Sequence, residues 1–282
     1  MGRTLIRLLQ SAGEPITGAS NRTPQRAQQT TRLLGIPSEG AACPVIPPST
    51  RIVWLTVPDR EIGQAARCVA PQLDPNAILV HTSGTIPSSM VRSHAPDALS
   101  VAGAHPLQTL TGAPEDLDRI RESHWFLEGE ELALESITTL LQRLGMSAHL
   151  IPPEQRPIYH AAAVLASNAV IGLHGTATRL LIQAGVEEAH AAAALAPLMR
   201  ATLANLQEKG AAGALTGPVA RGDVGVIASH LDVLGRDAPE AAALYRALLE
   251  PLVEVARAHE LAGPELLNAI DRLRKESPED SS

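Results

Sequence analysis

A short loop in the second half of the chain combines polar side chains with glycine and proline, as ligand-binding loops often do. Its sequence is LTGPVARGD, from Leu215 to Asp223, and it is too rich in glycine and proline to continue the Ala-rich helices on either side. Arg221 offers a guanidinium, which binds carboxylates and phosphates through paired hydrogen bonds, and Thr216 adds a hydroxyl. The loop therefore predicts substrate binding through an anionic group, with Asp223 capping the helix that begins at Val224. In the alternative interpretation, Arg221 bonds helix carbonyls and has a structural role.

Two histidines occupy positions that suit proton transfer. His105 follows an apolar strand, and His160 lies near the start of an Ala-rich helix with Asn168 eight residues further along the same face. An imidazole has an unperturbed pKa of about 6.5, which suits general acid–base chemistry at neutral pH. Together with Ser83, at the end of another strand, these side chains form the predicted catalytic group. The alternative is that His160 and Asn168 only bond a neighbouring loop.

The first half alternates apolar strand patterns with helix patterns, which predicts an α/β fold with a Rossmann-type, doubly wound parallel sheet. The second half shows helix patterns only. Ligands bind such sheets at the carboxyl ends of the strands. Polar or turn-forming residues occupy four of these ends, at Ser20–Arg22, Val57–Asp59, His81–Gly84 and His105–Gln108. From them we predict that Val57, Pro58 and Thr82 bind a cofactor and that Gln108 binds substrate.

The chain starts with a predicted helix, whereas a dinucleotide-binding fold starts with a strand and a glycine-rich turn. We interpret Gly2 as the last glycine of that turn. Ser20 then falls about 20 residues on, where an acidic residue would bind ribose. Ser20, Asn21 and Arg22 instead suit a 2′-phosphate and predict NADP in preference to NAD, unless Arg22 is merely a solvated turn residue.

From this start we expect that the natural first strand lies upstream of Met1, and that an empty position remains in the sheet. Such a chain would lack the backbone N–H groups that bind a pyrophosphate, so we expect it to bind the nucleotide poorly even if a longer form binds it well. The alternative is a natural start and a differently built sheet.

Composition narrows the function classes. The chain has 282 residues and a net charge of −7 without a dense Lys/Arg cluster, which argues against nucleic acid as a partner. We find no apolar run of about 20 residues for a membrane span and no secretory signal, and so predict a cytoplasmic protein. Cys43 and Cys68 predict neither a metal site nor a disulfide framework.

The predicted domains are residues 1–152, binding dinucleotide, and residues 153–276, all-helical, followed by a disordered tail at 277–282. The Ala-rich helices predict close helix packing and a homodimer. No metal-binding spacing such as H-E-x-x-H occurs in the sequence, so we predict no metal.

Six motifs, in order along nearly the whole chain, carry a family resemblance: LTVPD at 55–59, HTSG at 81–84, GAHPLQ at 103–108, YHAAAV at 159–164, ASN at 166–168 and the loop at 215–223. The chain resembles Rossmann-like NAD(P)-binding proteins with a helical C-terminal domain of unknown function, within the 6-phosphogluconate dehydrogenase-like superfamily. The resemblance implies a dinucleotide domain, a helical dimerisation domain and an active cleft between them. It also implies an NADP oxidoreductase, with NAD or a deazaflavin as the less favoured cofactor.

One departure from the superfamily bears on the mechanism. Its hydroxyacid dehydrogenases carry K-x-x-x-N on the first helix of the second domain, and here Val164 occupies the lysine position before Asn168. His105 or His160 would then transfer the proton. We therefore predict an NADP-dependent oxidoreductase for a small, anionic metabolite. The alternative is a nucleotide-binding sensor or scaffold that turns nothing over.

Overall fold

The computed structural model describes residues 1–275, so the predicted disordered tail at 277–282 lies outside the described residues. Contacts divide the chain into two compact units, Met1–Ser167 and a second that begins at Asn168. The helix that follows residue 153, which the sequence assigns to the second domain, therefore belongs to the first unit.

The first unit alternates strands and helices, as predicted. Its strands are β1 (Ala19–Ser20), β2 (Ser38–Glu39), β3 (Ile52–Leu55), β4 (Ile78–His81), β5 (Ser100–Pro106), β6 (Trp125–Gly129) and β7 (Ala148–Leu150). Its helices are α1 (Gly2–Ser11), α2 (Pro24–Leu34), α3 (Asp59–Val69), α4 (Ser88–Arg92), α5 (Asp116–Arg121), α6 (Glu131–Arg143) and α7 (Arg156–Ala166). The sequence patterns did not predict three short elements, β2, α4 and α5.

The main sheet has the order β3-β4-β5-β6-β7, and a separate sheet pairs β1 with β2. All pairs are parallel except β5 with β6, which is antiparallel. The Rossmann-type, doubly wound sheet predicted from the sequence is thus confirmed, with one antiparallel pair that the sequence patterns did not predict. The connection between β5 and β6 carries only the short helix α5, which does not return the chain to the starting edge of the sheet, as a parallel crossover requires.

Both faces of the main sheet are buried, so its strands are apolar on both sides. Val80 and Ala102 face α1 and α6, in a cluster that includes Leu8 and Ile137. The residues next to them along the strands, Leu79 and Val101, face α3 and α4, in a cluster with Ile62 and Val91. This alternation follows from the two-residue period of a strand.

A hollow of about 1450 Å³ separates the two sheets, and residues of β1, β3, α1 and α6 line it. Neither β1 nor β3 has a ladder partner on the side that faces the hollow. The hollow therefore lies between the free edges of β1 and β3.

The two cysteines form a disulfide, with Cα atoms 5.6 Å apart. The sequence analysis is wrong on this point, because the cysteines are 25 residues apart and their spacing does not show that the fold brings them together. Cys43 lies in the segment after β2 and Cys68 in α3, so the bond ties the small sheet to the main body of the unit.

The second unit is helical, as predicted. Its helices are α8 (Asn168–Gln183), α9 (Glu188–Ala214), α10 (Pro218–Arg221), α11 (Val224–Asp237), α12 (Pro239–Ala258) and α13 (Pro264–Lys275). Its core joins α10 to α13 through Val219, Ile227, Leu249 and Ile270. In contrast, α8 contains no buried residue and α9 contains only Ala191. The apolar pattern of residues 158–183 resembles that of one long helix, but non-helical backbone at Ser167 (φ −123°, ψ −71°) separates α7 from α8.

One stretch, Pro153–Gln183, is long and apolar enough to cross a membrane by length and composition, with a mean hydropathy of 1.2. The sequence analysis expected none. Core helices of soluble proteins pass the same test. The stretch is interrupted at Ser167, and its Arg156 side chain is fully buried beside a glutamate. None of the 18-residue window that carries this hydropathy is buried among the described residues.

Candidate functional site

Three adjacent strands bring a histidine, a glycine and a glutamate side by side. His81 is in register with Gly103, and Gly103 with Glu128. A Cβ atom on Gly103 would lie 2.8 Å from Cε1 of His81 and would overlap Oε1 of Glu128. The glycine therefore provides the space in which Nε2 of His81 comes within 3.9 Å of that oxygen.

Glu128 is the centre of a buried polar network. The backbone N–H and the hydroxyl of Ser88 donate to its two oxygens, at 2.8 and 2.7 Å. Nη1 of Arg156 lies 3.3 Å from Oε1, and both side chains are 0 % exposed. Nη2 of Arg156 donates to the carbonyl of Ser83. Because water reaches neither the Glu128 carboxylate nor the Arg156 guanidinium, each charge is stabilised mainly by the other.

A second pair lies beside this network. Nδ1 of His105 and the hydroxyl of Tyr159 are 2.5 Å apart. The sheet register places Phe126 opposite His105, and the ring of Phe126 lies 4.5 Å from the ring of Tyr159. The strand pairing and this aromatic contact thus bring the Tyr159 hydroxyl to His105.

Two imidazoles converge over Gly84. A Cβ atom on that glycine would lie 2.8 Å from Nδ1 of His160 and 3.1 Å from Nε2 of His105. Nδ1 of His160 is buried and has no hydrogen-bond partner among the described residues. A polar ligand atom at the same point would contact both rings. The hydroxyl of Ser83 accepts hydrogen bonds from the N–H groups of Thr85 and Ile86, which holds the turn that carries Gly84.

The structure therefore brings together three of the four predicted catalytic residues, His105, Ser83 and His160. Asn168 is the first residue of α8, in the second unit. The sequence analysis missed Tyr159, Glu128 and Arg156. Glu128 and Arg156 could have been noticed because each is an ionisable residue in or beside an apolar segment. A buried charge without a partner is costly there, so it usually has a role.

The site lowers the basicity of its histidines. Burial, assisted by the nearby Arg156 charge, lowers the pKa of His81 to about 3 and that of His105 to about 4. His160 also lowers the pKa of His105, whereas Asp59 raises it. Burial raises the pKa of Tyr159 to about 12, although Arg156 opposes this effect. At neutral pH both imidazoles are uncharged and the phenol is protonated.

These values predict how stability changes with pH. An unfolded histidine binds a proton below about pH 6.5, whereas folded His105 binds one only near pH 4. The unfolded state therefore gains more protons as the pH falls from 6.5 to 4, and the free energy of unfolding should drop by about 3 kcal/mol on account of His105. Urea unfolding across this range, for the wild type and His105→Gln, measures the effect. An equal pH slope in both proteins would contradict it.

The predicted cofactor residues Gly2, Ser20, Asn21, Arg22 and Val57 all line the hollow, whereas Pro58 and Thr82 are outside its described lining. A Cβ atom on Gly2 would lie 2.6 Å from Oγ1 of Thr56, so α1 begins at the carboxyl end of β3. The free N–H groups of a helix start suit a phosphate.

The polar side chains at this end of the hollow already have protein partners. Ser20 donates to the carbonyl of Ala41, and Arg22 forms an ion pair with Glu61 at 2.9 Å. Asn21 donates to the hydroxyls of Thr30 and Ser38. The residue types fit a ribose phosphate, but the Arg22 guanidinium would have to share its charge between Glu61 and the ligand.

The predicted substrate residues lie in two places. In the second unit, Arg221 binds the carboxylate of Asp223, with Nη2 at 2.7 Å from Oδ2. Asp223 holds the N-cap position of α11, but its side chain makes no capping bond, so the predicted cap is wrong. Thr216 is exposed. In the first unit, Gln108 is exposed and donates to the carbonyl of Arg119.

The chain is similar to known proteins both in sequence and in fold. Residues 123–251 match a family described as a domain of unknown function, DUF2520. No curated protein matches the chain in sequence.

Solved structures match over almost the whole length. Protein TM1727 from Thermotoga maritima is 25% identical, with 91% of this chain and 96% of that chain covered and a TM-score of 0.73. A proposed NADP oxidoreductase from Bacteroides fragilis, BF3122, is 23% identical, with 89% and 93% covered and a TM-score of 0.67. A 1-pyrroline-5-carboxylate reductase from Streptococcus pyogenes is 13% identical, with 97% and 94% covered and a TM-score of 0.57.

These matches confirm the resemblance drawn from the sequence motifs. The chain has a Rossmann-like fold followed by a helical C-terminal domain, and its residues 123–251 match the DUF2520 domain.

Proposed function

We propose that the chain is an oxidoreductase that uses a nicotinamide dinucleotide, NADP in preference to NAD, and acts on a small anionic metabolite. The observation that carries this proposal is the convergence of His105 and His160 over Gly84, at the carboxyl ends of strands in a Rossmann-like sheet, where such folds bind ligands. The similarity to a proposed NADP oxidoreductase and to a pyrroline-5-carboxylate reductase supports it.

Each predicted residue has a role in this proposal. Gly2 and Val57, with Pro58 and Thr82, would contact the dinucleotide, and Ser20, Asn21 and Arg22 would bind its 2′-phosphate. The dinucleotide, when bound, supplies hydride chemistry. His105 would transfer the proton, while Ser83, His160 and Asn168 orient the reacting group. Arg221, Thr216 and Gln108 would bind the substrate, and single substitutions test each of these assignments separately.

Fluorescence titration of the protein with NADPH and NADH tests the cofactor preference. We expect Arg22→Ala to weaken NADPH binding by roughly 10-fold or more, since a hydrogen bond to a charged group contributes about 1.5–3 kcal/mol. NADH binding should change little, because NADH lacks the 2′-phosphate. Arg26→Ala, which removes an exposed arginine outside the lining of the hollow, is the matched control. Equal losses for both nucleotides would show that Arg22 does not read the 2′-phosphate, and no binding of either would end the dinucleotide proposal.

One observation favours the alternative, a nucleotide-binding sensor or scaffold. Val164 occupies the position of the superfamily's lysine and is 40% exposed, so no lysine acid–base group is available there. The two functions differ in turnover. A panel of carbonyl and imine compounds with NADPH should include a substrate if the chain is an enzyme, whereas a sensor would bind NADPH and oxidise none of it.

We further propose a homodimer through the helical domain. In the second unit, α8 and α9 present exposed apolar side chains, among them Ile171 (70% exposed) and Leu198 (64%). Contiguous exposed apolar side chains often mark a surface that binds another protein chain. Sedimentation analysis should give a dimer for the wild type, and monomers for the Ile171→Glu/Leu198→Glu variant. A monomeric wild type in the absence of detergent would contradict the proposal.

A cytoplasmic location is also part of the proposal. In that compartment glutathione and thioredoxin keep most thiols reduced. We therefore expect the bond that the structure has between Cys43 and Cys68 to be reduced in the cell, so that both cysteines react when cells are lysed into an alkylating agent. A fully oxidised pair under those conditions would argue for an oxidising compartment.

A further inference from the structure

The contact between His105 and Tyr159 raises the question of which group donates the proton. Their atoms lie 2.5 Å apart, and either the phenol or Nδ1 of the imidazole could donate. The answer decides which face of His105 carries a proton, because a neutral imidazole has one N–H group and one acceptor nitrogen.

The chemistry of the pair favours Tyr159 as the donor. Imidazole is a far better acceptor of protons than a phenol is. His105 is also the one hydrogen-bond partner of the Tyr159 hydroxyl among the described residues. If Nδ1 of His105 donated, the phenolic hydrogen would have no protein acceptor in a half-buried position, which is costly. Nδ1 is thus the acceptor, and the remaining proton sits on Nε2, the nitrogen that faces the point over Gly84.

We propose that Tyr159 is a positioning residue that fixes His105 as the Nε2–H tautomer, so that His105 offers a proton donor, not a base, to a ligand over Gly84. The chemical use of this donor rests on the proposed function. A donor at that point suits the reduction of a carbonyl or imine, and carbonyl and imine compounds are therefore the substrate class.

The proton transfers of this step balance once water is included. A bound reduced nicotinamide dinucleotide would supply the hydride chemistry, and residues of the chain would move the protons. The substrate oxygen or nitrogen then takes the proton of Nε2, Nδ1 takes the phenolic proton, and the Tyr159 phenolate regains a proton from water. A neutral imidazole gives up a proton readily only if it gains one at its other nitrogen, and Tyr159 is the group placed to supply it. The nearby Arg156 charge favours the phenolate in the interim.

Long-range ¹H–¹⁵N spectra of the full chain, labelled in its histidine rings, test the tautomer without any cofactor. His105→Gln identifies the His105 signals. At pH 7 we expect His105 to show the Nε2–H pattern, and Tyr159→Phe to convert it partly to the Nδ1–H form. Tyr245→Phe is the matched control, because Tyr245 makes the same kind of contact with Nδ1 of His230, at 3.0 Å, and should leave His105 unchanged.

Two results would overturn the proposal: an Nδ1–H pattern in the wild type, or an unchanged His105 tautomer in a folded Tyr159→Phe protein. The wild-type spectrum decides even if the variant does not fold. If the panel yields a substrate, Tyr159→Phe should lower kcat for reduction at least 10-fold with little change in NADPH affinity. If no compound is turned over, the proposed function fails while the tautomer assignment stands on the spectra.

Discussion

Replacing Glu128 with glutamine should lower the free energy of unfolding by about 3–5 kcal/mol. Glutamine can still accept one hydrogen bond from Ser88, but it no longer carries the charge that compensates Arg156, which is fully buried. A buried arginine without a counter-ion is among the costliest defects that a single substitution can create. Urea unfolding at pH 7 measures the change directly.

Glu130→Gln is the matched control for this experiment. Glu130 lies two residues from Glu128 and also pairs with an arginine, Arg92, but its side chain is 41% exposed. Solvent screens that pair, so its loss should cost at most about 1 kcal/mol. Equal effects of the two substitutions would mean that the buried network contributes no more than a surface ion pair.

Replacing His105 with alanine should reduce turnover by roughly 10²–10⁴-fold, the usual contribution of a general acid or base. The dissociation constant for NADPH should change little, because most of the predicted cofactor residues line the hollow, whereas His105 does not. Steady-state kinetics with the substrate found in the panel, and fluorescence titration of NADPH, separate the two quantities.

His190→Ala serves as the control for this second prediction, since the His190 side chain is 74% exposed and pairs with Glu187 at the start of α9. It should keep both turnover and NADPH affinity. Turnover that survives in His105→Ala would remove His105 from the mechanism and move the assignment to His160.

Much of the fold follows from local sequence signals. Pro24 at the first turn and Gly35 in the left-handed region (φ 66°) bound α2, and a proline followed by a glycine about ten residues later marks the two ends of a helix in a sequence. The apolar runs at β3 and β4 were equally clear. The sequence did not reveal β2, which has only two residues, or the antiparallel pairing of β6, because the direction of a strand depends on the path of its connection.

In the candidate site, too, some residues could be predicted from the sequence and others could not. His105, Ser83 and His160 could be predicted, since strand ends and a polar helix edge mark them locally. Tyr159 and Glu128 could not, because their partners are far away in sequence: Tyr159 lies 54 residues from His105 and Glu128 lies 40 from Ser88. The role of Gly103 could not be predicted either. Its lack of a side chain matters only because the two neighbouring strands place His81 and Glu128 against it.

The disulfide between Cys43 and Cys68 has a consequence for local unfolding. The hollow separates the small sheet from the main one, and β1 pairs with β2 over only two residues each, so the covalent bond is a principal tie between this segment and α3. Reduction should let the small sheet open as a separate cooperative unit while the five-stranded sheet stays closed. The amide protons of Ala19 and Asn21, which bond the carbonyls of Pro37 and Glu39, would then exchange with deuterium faster, and those of β4 would not.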